Sequence, residues 1–260
     1  MKLTVKPNLL KNMILGAGIF GFALRVALYT TGFDGRNLLI HSHWASVSLW
    51  ILTAVVTVAI IIFTQKLDGP ADYNDALPAS FSGAVGAFAA AFGIGITTVR
   101  EFAEFYSRLH LIVWILGLCA TVALVLVGIS RLLRNRPAFP LHTIVCIYFA
   151  LRMVCQYQYW SADPQLLDYC FYLCAHVALM LTGYHHAAFD AGIGNHRSLW
   201  RLSLASVYLC CLSLNGSLDT VLLLGCGIWA FTNLSCLQVR PRRQRPDLHL
   251  DEEPSREGDQ

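Results

Sequence analysis

Long runs of apolar residues, separated by short polar connections that carry Pro, Gly and charge, dominate the chain. An α-helix needs about 20 such residues to cross the hydrocarbon core of a bilayer. The runs do not alternate polar and apolar residues, as strands of a membrane β-barrel do. The pattern therefore predicts an all-α integral membrane protein with about eight transmembrane helices. The predicted spans are 13–31, 44–64, 79–99, 111–132, 141–159, 166–184, 199–214 and 221–239.

The seventh span, 199–214, is the shortest and the weakest prediction, so the distribution of basic residues decides whether to count it. With eight spans and a cytoplasmic N-terminus, fourteen of the nineteen Lys and Arg residues fall on the inner side. Seven spans would place the arginine-rich C-terminus outside, against the positive-inside rule. We therefore expect eight spans, with both termini in the cytoplasm and the bilayer of the bacterial plasma membrane as the partner.

Composition agrees with a lipid environment. The chain has 260 residues, of which 56% are hydrophobic and 13% charged, and its mean hydropathy is +0.54. Soluble domains carry about 25% charged residues. The sequence has no basic face with interleaved aromatic residues, so nucleic acid is not an expected partner. Nothing in the sequence indicates the oligomeric state.

One polytopic domain accounts for nearly the whole chain. Residues 1–239 hold all the predicted spans, and the connections are too short to fold alone. Residues 240–260 begin with a cluster of arginines and end in acidic and polar residues. A segment of this composition cannot bury enough apolar surface to fold, so we predict a disordered cytoplasmic tail.

A repeated tetrapeptide suggests a duplication. Phe-Ala-Leu-Arg occurs at 22–25 in the first span and again at 149–152 in the fifth. Aligned on this motif, residues 12–137 and 140–246 form two possible four-helix repeats. Because each repeat has an even number of spans, the two would be parallel and related by an axis along the membrane normal. A binding site would then lie between the halves.

The two arginines of this motif are the leading candidates for function. Arg25 and Arg152 lie in the outer part of their spans, where an arginine costs a few kcal/mol unless it is paired or faces a polar cavity. Tyr29 and Gln156 follow at position i+4, on the same helix face. The arginines could lock helices together through Asp34, Asp163 or Asp168, or they could bind an anionic group of a solute. The sequence leaves both alternatives open, so these seven residues form the candidate ligand site together with His176.

His176 lies near the middle of the sixth span, as a proton relay, a ligand or an interhelical hydrogen-bonding residue would. Haem in a helical bundle usually needs a second axial histidine at matching depth, and no other histidine lies in mid-span. The remaining histidines match no recognised zinc pattern. The sequence therefore predicts no cofactor and no metal site.

Glycine patterns in two spans indicate close helix packing. Residues 16–21 match Gly-x-Gly-x-x-Gly by letters, but no strand precedes them, so we interpret them as a packing face and not as a nucleotide-binding turn. The third span is crowded with Gly and Ala. It is the span that we expect to be most surrounded by protein.

Residues 24–34, Leu-Arg-Val-Ala-Leu-Tyr-Thr-Thr-Gly-Phe-Asp, are followed by Leu38-Leu39 and a histidine before the second span. This opening resembles that of uncharacterised multi-pass membrane proteins from Gram-positive gut bacteria. The resemblance implies a bacterial plasma membrane, and it brings neither an assigned activity nor any site residue.

Three hypotheses for function follow. The first is a bundle that binds or transports a small, anionic solute from the outer side through Arg25 and Arg152. The second is an intramembrane enzyme acting on lipid or isoprenoid head groups, for which the sequence shows no known catalytic motif. The third is a structural or partner-binding subunit whose arginines only hold helices together.

Overall fold

The structure is a computed structural model. It describes residues 7–32, 43–65, 67, 69, 73–78, 80–102, 108–133, 135–160, 166–214 and 219–238. At 74, 75, 139, 159, 160 and 166–169 it describes the backbone alone. The predicted tail, 240–260, lies outside these ranges.

All regular structure in the described residues is helical. Eight long helices correspond to the eight predicted spans, and a short helix, α3, precedes the third of them. The helices are α1 Pro7–Thr31, α2 Trp44–Thr64, α3 Tyr73–Ala76, α4 Phe81–Glu101, α5 Arg108–Leu132, α6 Phe139–Trp160, α7 Leu166–Asp190, α8 His196–Leu212 and α9 Asp219–Cys236.

Five helices, α1, α2, α4, α5 and α9, are long and apolar enough to cross a membrane. The chain is thus an all-α protein with several candidate membrane-spanning helices. Within the described residues, helices α6, α7 and α8 do not combine the length and the apolar composition of these five. They carry most of the buried polar side chains, which face protein. The count of eight spans therefore stays a prediction.

Six helices form a closed ring. Going round it, α4 packs against α5, α5 against α6, α6 against α7, α7 against α8, α8 against α9, and α9 against α4. The hairpin of α1 and α2 lies outside this ring and packs mainly on α8. Helix α8 is therefore the one with protein on most sides, and not α4 as the glycine pattern predicts.

Two apolar cores follow from this arrangement. The first fills the ring between α4, α5, α6, α7 and α9, with Ile94, Leu124, Phe149 and Leu179 completely buried. The second joins the α1–α2 hairpin to α7, α8 and α9, around Trp200 and Tyr208. Large apolar side chains such as Phe92 and Val122 point outward and are exposed, as expected for a surface that contacts lipid.

Glycines allow the closest contacts between helices. A Cβ on Gly93 of α4 would lie 2.7 Å from the carbonyl oxygen of Val221 in α9. In α1, Gly18 and Gly21 lie against α8, whereas Gly16 has open space beside it. Small residues let helix backbones approach in this way. The packing interpretation of residues 16–21 therefore fits the structure at two of its three glycines.

The packing of the two halves differs. Helix α7 packs closely on α8, but the corresponding helices of the first half, α2 and α4, are not packing partners among the described residues. Likewise α4 packs on α9, but the corresponding helices with the halves exchanged, α8 and α5, are not packing partners among the described residues. The repeats 12–137 and 140–246 stay a hypothesis that rests on the sequence motif.

Candidate functional site

The interior of the ring contains two polar clusters, one at each end. We call the end at which α1, α4, α6 and α8 finish the outer end, and the end at which they begin the inner end. The outer cluster consists of Glu101 of α4, Arg152 and Gln156 of α6, Tyr172 of α7 and Asp219 of α9. Polar side chains inside an apolar bundle are costly, so each needs a partner.

Arg152 is the centre of the outer cluster. Its Nη1 donates to Oε2 of Glu101 at 2.9 Å, and its Nη2 donates to Oε1 of the same carboxylate at 2.6 Å. The Nη2 atom also donates to Oδ1 of Asp219 at 2.5 Å. A guanidinium matches a carboxylate in this two-point geometry better than an ammonium can. One arginine therefore ties together the outer ends of α4, α6 and α9.

The three charges differ in exposure. The Arg152 side chain is 2% exposed, whereas Glu101 is 32% exposed and Asp219 is 18% exposed. The two carboxylates outnumber the single guanidinium, so the cluster carries one net negative charge when both acids are ionised. A solute that approaches from the outer end meets carboxylate oxygens first.

Neutral polar groups complete the cluster. The Gln156 amide Nε2 donates to Oδ2 of Asp219 at 3.2 Å. The Tyr172 side chain lies beside Asp219, and the Tyr148 hydroxyl accepts from Nη1 of Arg152 at 3.3 Å. Gln156 and Arg152 therefore each bond one oxygen of the Asp219 carboxylate.

His176 lies one turn deeper on α7 than Tyr172 and is completely buried. Its Nδ1 is 3.0 Å from the Tyr172 carbonyl oxygen, so Nδ1 carries the proton and donates. Its Nε2 is buried and has no hydrogen-bond partner within the described part of the chain. The imidazole ring packs against Tyr172 and Phe149. His176 thus presents an available acceptor directly below the charged cluster.

Arg25 has a different environment. Its Nη1 donates to the Leu212 carbonyl oxygen at 2.8 Å, and its Nη2 donates to the Tyr29 hydroxyl at 3.1 Å. Leu212 is the last residue of α8, where carbonyl groups lack partners within the helix and the helix dipole favours a cation. The guanidinium also lies 6.0 Å from the centre of the Phe171 ring. Arg25 therefore caps the C-terminus of α8.

The candidate residues from the sequence thus fall into two groups. Arg25 and Tyr29 lie together against α8, while Arg152, Gln156 and His176 belong to the ring interior. Helices α1 and α6 are not packing partners in the described structure. Asp34 and Asp163 lie outside the described residues, as does the Asp168 side chain.

Sequence reasoning did not select Asp219, Tyr172, Tyr148 or Glu101 for the candidate site. One signal was available for Tyr148, because it precedes Arg152 by four residues and so lies on the same helix face. Asp219 lies just before the eighth predicted span, at the same end of the bundle as Arg152, so an acid was available near the arginine. Neither observation identifies the partners of Arg152, because that requires knowing which helices are neighbours in the ring.

The inner cluster consists of Arg131 of α5, Arg136, His142 of α6, His186 and Asp190 of α7, and Asn233 of α9. His142 Nδ1 is 2.5 Å from Oδ2 of Asp190, and Asn233 Nδ2 is 3.2 Å from Nε2 of His186. The two imidazole rings stack with their centres 5.1 Å apart. Among the described residues, no group of three or more His, Cys, Asp or Glu side chains could hold a metal ion.

Apolar side chains separate the two clusters. His142 and Arg152 are ten residues apart on α6, which corresponds to about 15 Å along the helix axis. Val145, Phe149, Leu179 and Leu222 fill the space between them and are completely buried. A separate apolar cavity of about 200 Å³ lies between α1, α8 and α9, lined by residues such as Leu15, Cys211 and Phe231.

Comparisons with protein-family models, with curated proteins and with solved structures found no match for this chain.

Proposed function

We propose that this protein binds a small solute with a cationic group at the outer cluster and moves it across the membrane through the ring of six helices. The observation that carries the proposal is the arrangement of Arg152, a buried arginine held between Glu101 and Asp219 on three different helices. Ionisable residues that face the interior of a membrane bundle mark solute and ion pathways.

Stability alone is a poor explanation for such a cluster. Apolar side chains of similar volume often stabilise a protein as well as a buried ion pair does, because the pair loses the solvation of both charges. The two acids and one base of the outer cluster therefore favour a role in binding.

The charge balance favours a cation over the anionic solute of the first hypothesis from the sequence. Both carboxylates already occupy the guanidinium of Arg152, so an incoming anion would have to displace one of them. A cation instead meets the partly exposed oxygens of Glu101 and Asp219 and relieves their net negative charge. Tyr172 and Gln156 add hydrogen-bonding groups that can orient the solute.

The second polar cluster supports transport in addition to binding. Helices α6 and α7 each contribute residues to both ends of the ring, Arg152 with His142 and Tyr172 with Asp190. A tilt of this pair against the other helices would expose one end and close the other. His176 lies between the two ends, with Nε2 available to accept a hydrogen bond from a passing solute.

Thermal unfolding of the purified chain in lipid nanodiscs tests the binding step. The experiment compares the chlorides of methylammonium and tetramethylammonium with sodium acetate, all at equal ionic strength. At least one of the cations should raise the midpoint of unfolding. Glu101→Gln should lower the affinity for the cation about tenfold, which is the loss expected for one charge-assisted hydrogen bond. Asp219 still pairs with Arg152 in this variant.

Arg108→Gln is the matched control, because it removes an exposed charge at the same end of the bundle and should leave cation binding unchanged. Stabilisation by acetate alone, lost in Arg152→Gln, would instead support the anionic solute of the first hypothesis from the sequence. Stabilisation by none of the salts, with equal unfolding of all variants, would contradict a binding role for the outer cluster.

A further inference from the structure

Arg131, near the end of α5, is a second buried arginine in the ring, and its environment differs from that of Arg152. It is 4% exposed. Its Nε, Nη1 and Nη2 atoms are all buried and have no hydrogen-bond partner within the described part of the chain. A buried guanidinium without acceptors is among the most costly arrangements in a protein.

The guanidinium of Arg131 lies against the first turn of α4. A Cβ on Gly83, in the first turn of that helix, would lie 2.5 Å from Nη1 and 3.4 Å from Cδ of Arg131. Ser80 is the N-cap, and its Oγ accepts from the Gly83 backbone N–H at 3.1 Å. The backbone N–H groups of Phe81 and Ser82 belong to the first turn, where an α-helix leaves donors without an intrahelical acceptor.

Two positive features therefore face each other at the inner end. The N-terminus of a helix carries a partial positive charge and favours anions. Arg131 brings a full positive charge to the same place. This is the opposite of the arrangement that stabilises a helix, in which a basic residue lies near the C-terminus, as Arg25 does at the end of α8.

The other charged groups around Arg131 do not correct the imbalance. Arg136 donates from Nη2 to the carbonyl oxygens of Phe189 and Asp190, and its charge remains close by. Asp190 is held by His142 through Oδ2. Within the described residues the two arginines and one carboxylate leave one net positive charge, with the helix N-terminus in addition.

Tyr73 closes the site from the side of α3. It is 4% exposed and lies near Arg131, although no polar atom is in hydrogen-bonding geometry with the guanidinium. Burial raises the pKa of the Tyr73 hydroxyl above its ordinary value, and the Arg131 charge partly lowers it again. The phenol therefore stays protonated at neutral pH and can donate a hydrogen bond.

We propose that Arg131, the first turn of α4 and the Tyr73 hydroxyl form a binding site for a phosphate group at the inner end of the ring. A phosphate presents several acceptor oxygens, which match the fork of a guanidinium and the amides of a helix N-terminus. Gly83 lacks a side chain where one would displace Nη1. The group belongs either to free phosphate or to the head of a phospholipid in the inner leaflet.

This site is distinct from the proposed solute site. It lies at the opposite end of the ring, it has the opposite net charge, and it shares no residue with the outer cluster. Success or failure of cation binding at Glu101 and Asp219 therefore leaves the phosphate site untouched.

The test uses the full chain in nanodiscs of phosphatidylcholine, a lipid without net charge. One arm titrates inorganic phosphate, and a second arm adds phosphatidic acid to the nanodisc instead. Binding at a hundredfold excess over the dissociation constant should raise the unfolding midpoint by about 5 °C. A response to inorganic phosphate indicates the free anion, and a response to phosphatidic acid alone indicates the lipid head group.

Arg131→Gln should reduce the affinity about tenfold to a hundredfold, whereas Arg201→Gln is the matched control. Arg201 also lies at the inner end, but its Nε donates to Thr64 Oγ1 at 2.8 Å, away from the site. If Arg131→Gln does not fold, Gly83→Ala is the variant to test, because it keeps every charge and only displaces the guanidinium. It should also lower the affinity for phosphate. No response in either arm, or equal responses in the wild type and both site variants, would overturn the proposal.

Discussion

At the scale of single residues, Arg25 and Arg152 occupy the same place in a repeated tetrapeptide but have different partners. Arg25 bonds the carbonyl oxygen at the end of α8, and Arg152 bonds two carboxylates. The first arrangement places a guanidinium against a helix C-terminus, and the second places a guanidinium between two acids on neighbouring helices. A shared sequence motif therefore does not imply a shared role.

Arg25→Gln tests the capping role. The change should leave the Leu212 carbonyl oxygen without its charged donor and lower the free energy of unfolding by about 1–3 kcal/mol. The measurement is chemical or thermal unfolding in detergent or nanodiscs. Binding of cations at the outer cluster should be unchanged, because Arg25 is not part of it.

Tyr29→Phe is the graded control for Arg25. It removes only the hydroxyl that accepts from Nη2 and leaves the bond to Leu212, so its effect should be about 1 kcal/mol or less. An Arg25→Gln variant as stable as the wild type would show that the cap contributes nothing measurable.

The sequence was sufficient to select Arg152, Gln156 and His176, because polar residues inside an apolar run need an explanation. It was not sufficient to find Asp219 or to separate Arg25 from the site. Those facts depend on which helices are neighbours, and apolar runs of similar length carry little information about neighbours. The pairing of Arg152 with Asp219 spans 67 residues.

At the scale of helices, the contact of α4 with α9 depends on glycine. Gly93→Ala would place a Cβ 2.7 Å from the Val221 carbonyl oxygen and 3.1 Å from the Leu222 Cα. Both are backbone atoms that cannot move aside alone. We expect the helices to separate slightly and the free energy of unfolding to fall by about 1–3 kcal/mol, measured by thermal unfolding.

Gly95→Ala is the matched control, two residues further along the same helix. The nearest atom to its Cβ would be the Thr121 Cγ2 at 3.3 Å, a side-chain atom that can adjust. Alanine also favours a helix over glycine by up to about 1 kcal/mol. Gly95→Ala should therefore be neutral or stabilising, and equal destabilisation by both changes would contradict the packing argument.

Helix positions were predictable from the sequence, whereas helix environments were not. The bounds of α2 coincide with the second predicted span, because its apolar run is nearly uninterrupted. Helix α8 was the weakest predicted span, yet it packs against α1, α2, α7 and α9. Its Ser203, Ser206 and Tyr208 are buried against protein. A helix surrounded by other helices does not need the hydropathy that lipid demands.

At the scale of the whole molecule, the sidedness of the bundle is a prediction from its basic residues. Fluorescent-protein fusions at the two termini test it, since such fusions fluoresce in the bacterial cytoplasm and are dark when exported. Both fusions should fluoresce if eight helices cross the membrane. A dark C-terminal fusion with a bright N-terminal one would mean an odd number of crossings and would remove one predicted span.

Helix α1 is made long before α8, the helix whose C-terminus Arg25 contacts. Arg25 and the Leu212 carbonyl oxygen that it bonds are 187 residues apart in the chain. At a synthesis rate of about 5–20 residues per second, α1 is complete roughly 10–40 s before α8 exists. During that interval the Arg25 charge has no α8 terminus to cap. Until α8 is made, we expect the hairpin of α1 and α2 to remain close to the insertion machinery, or the Arg25 side chain to extend toward the membrane surface.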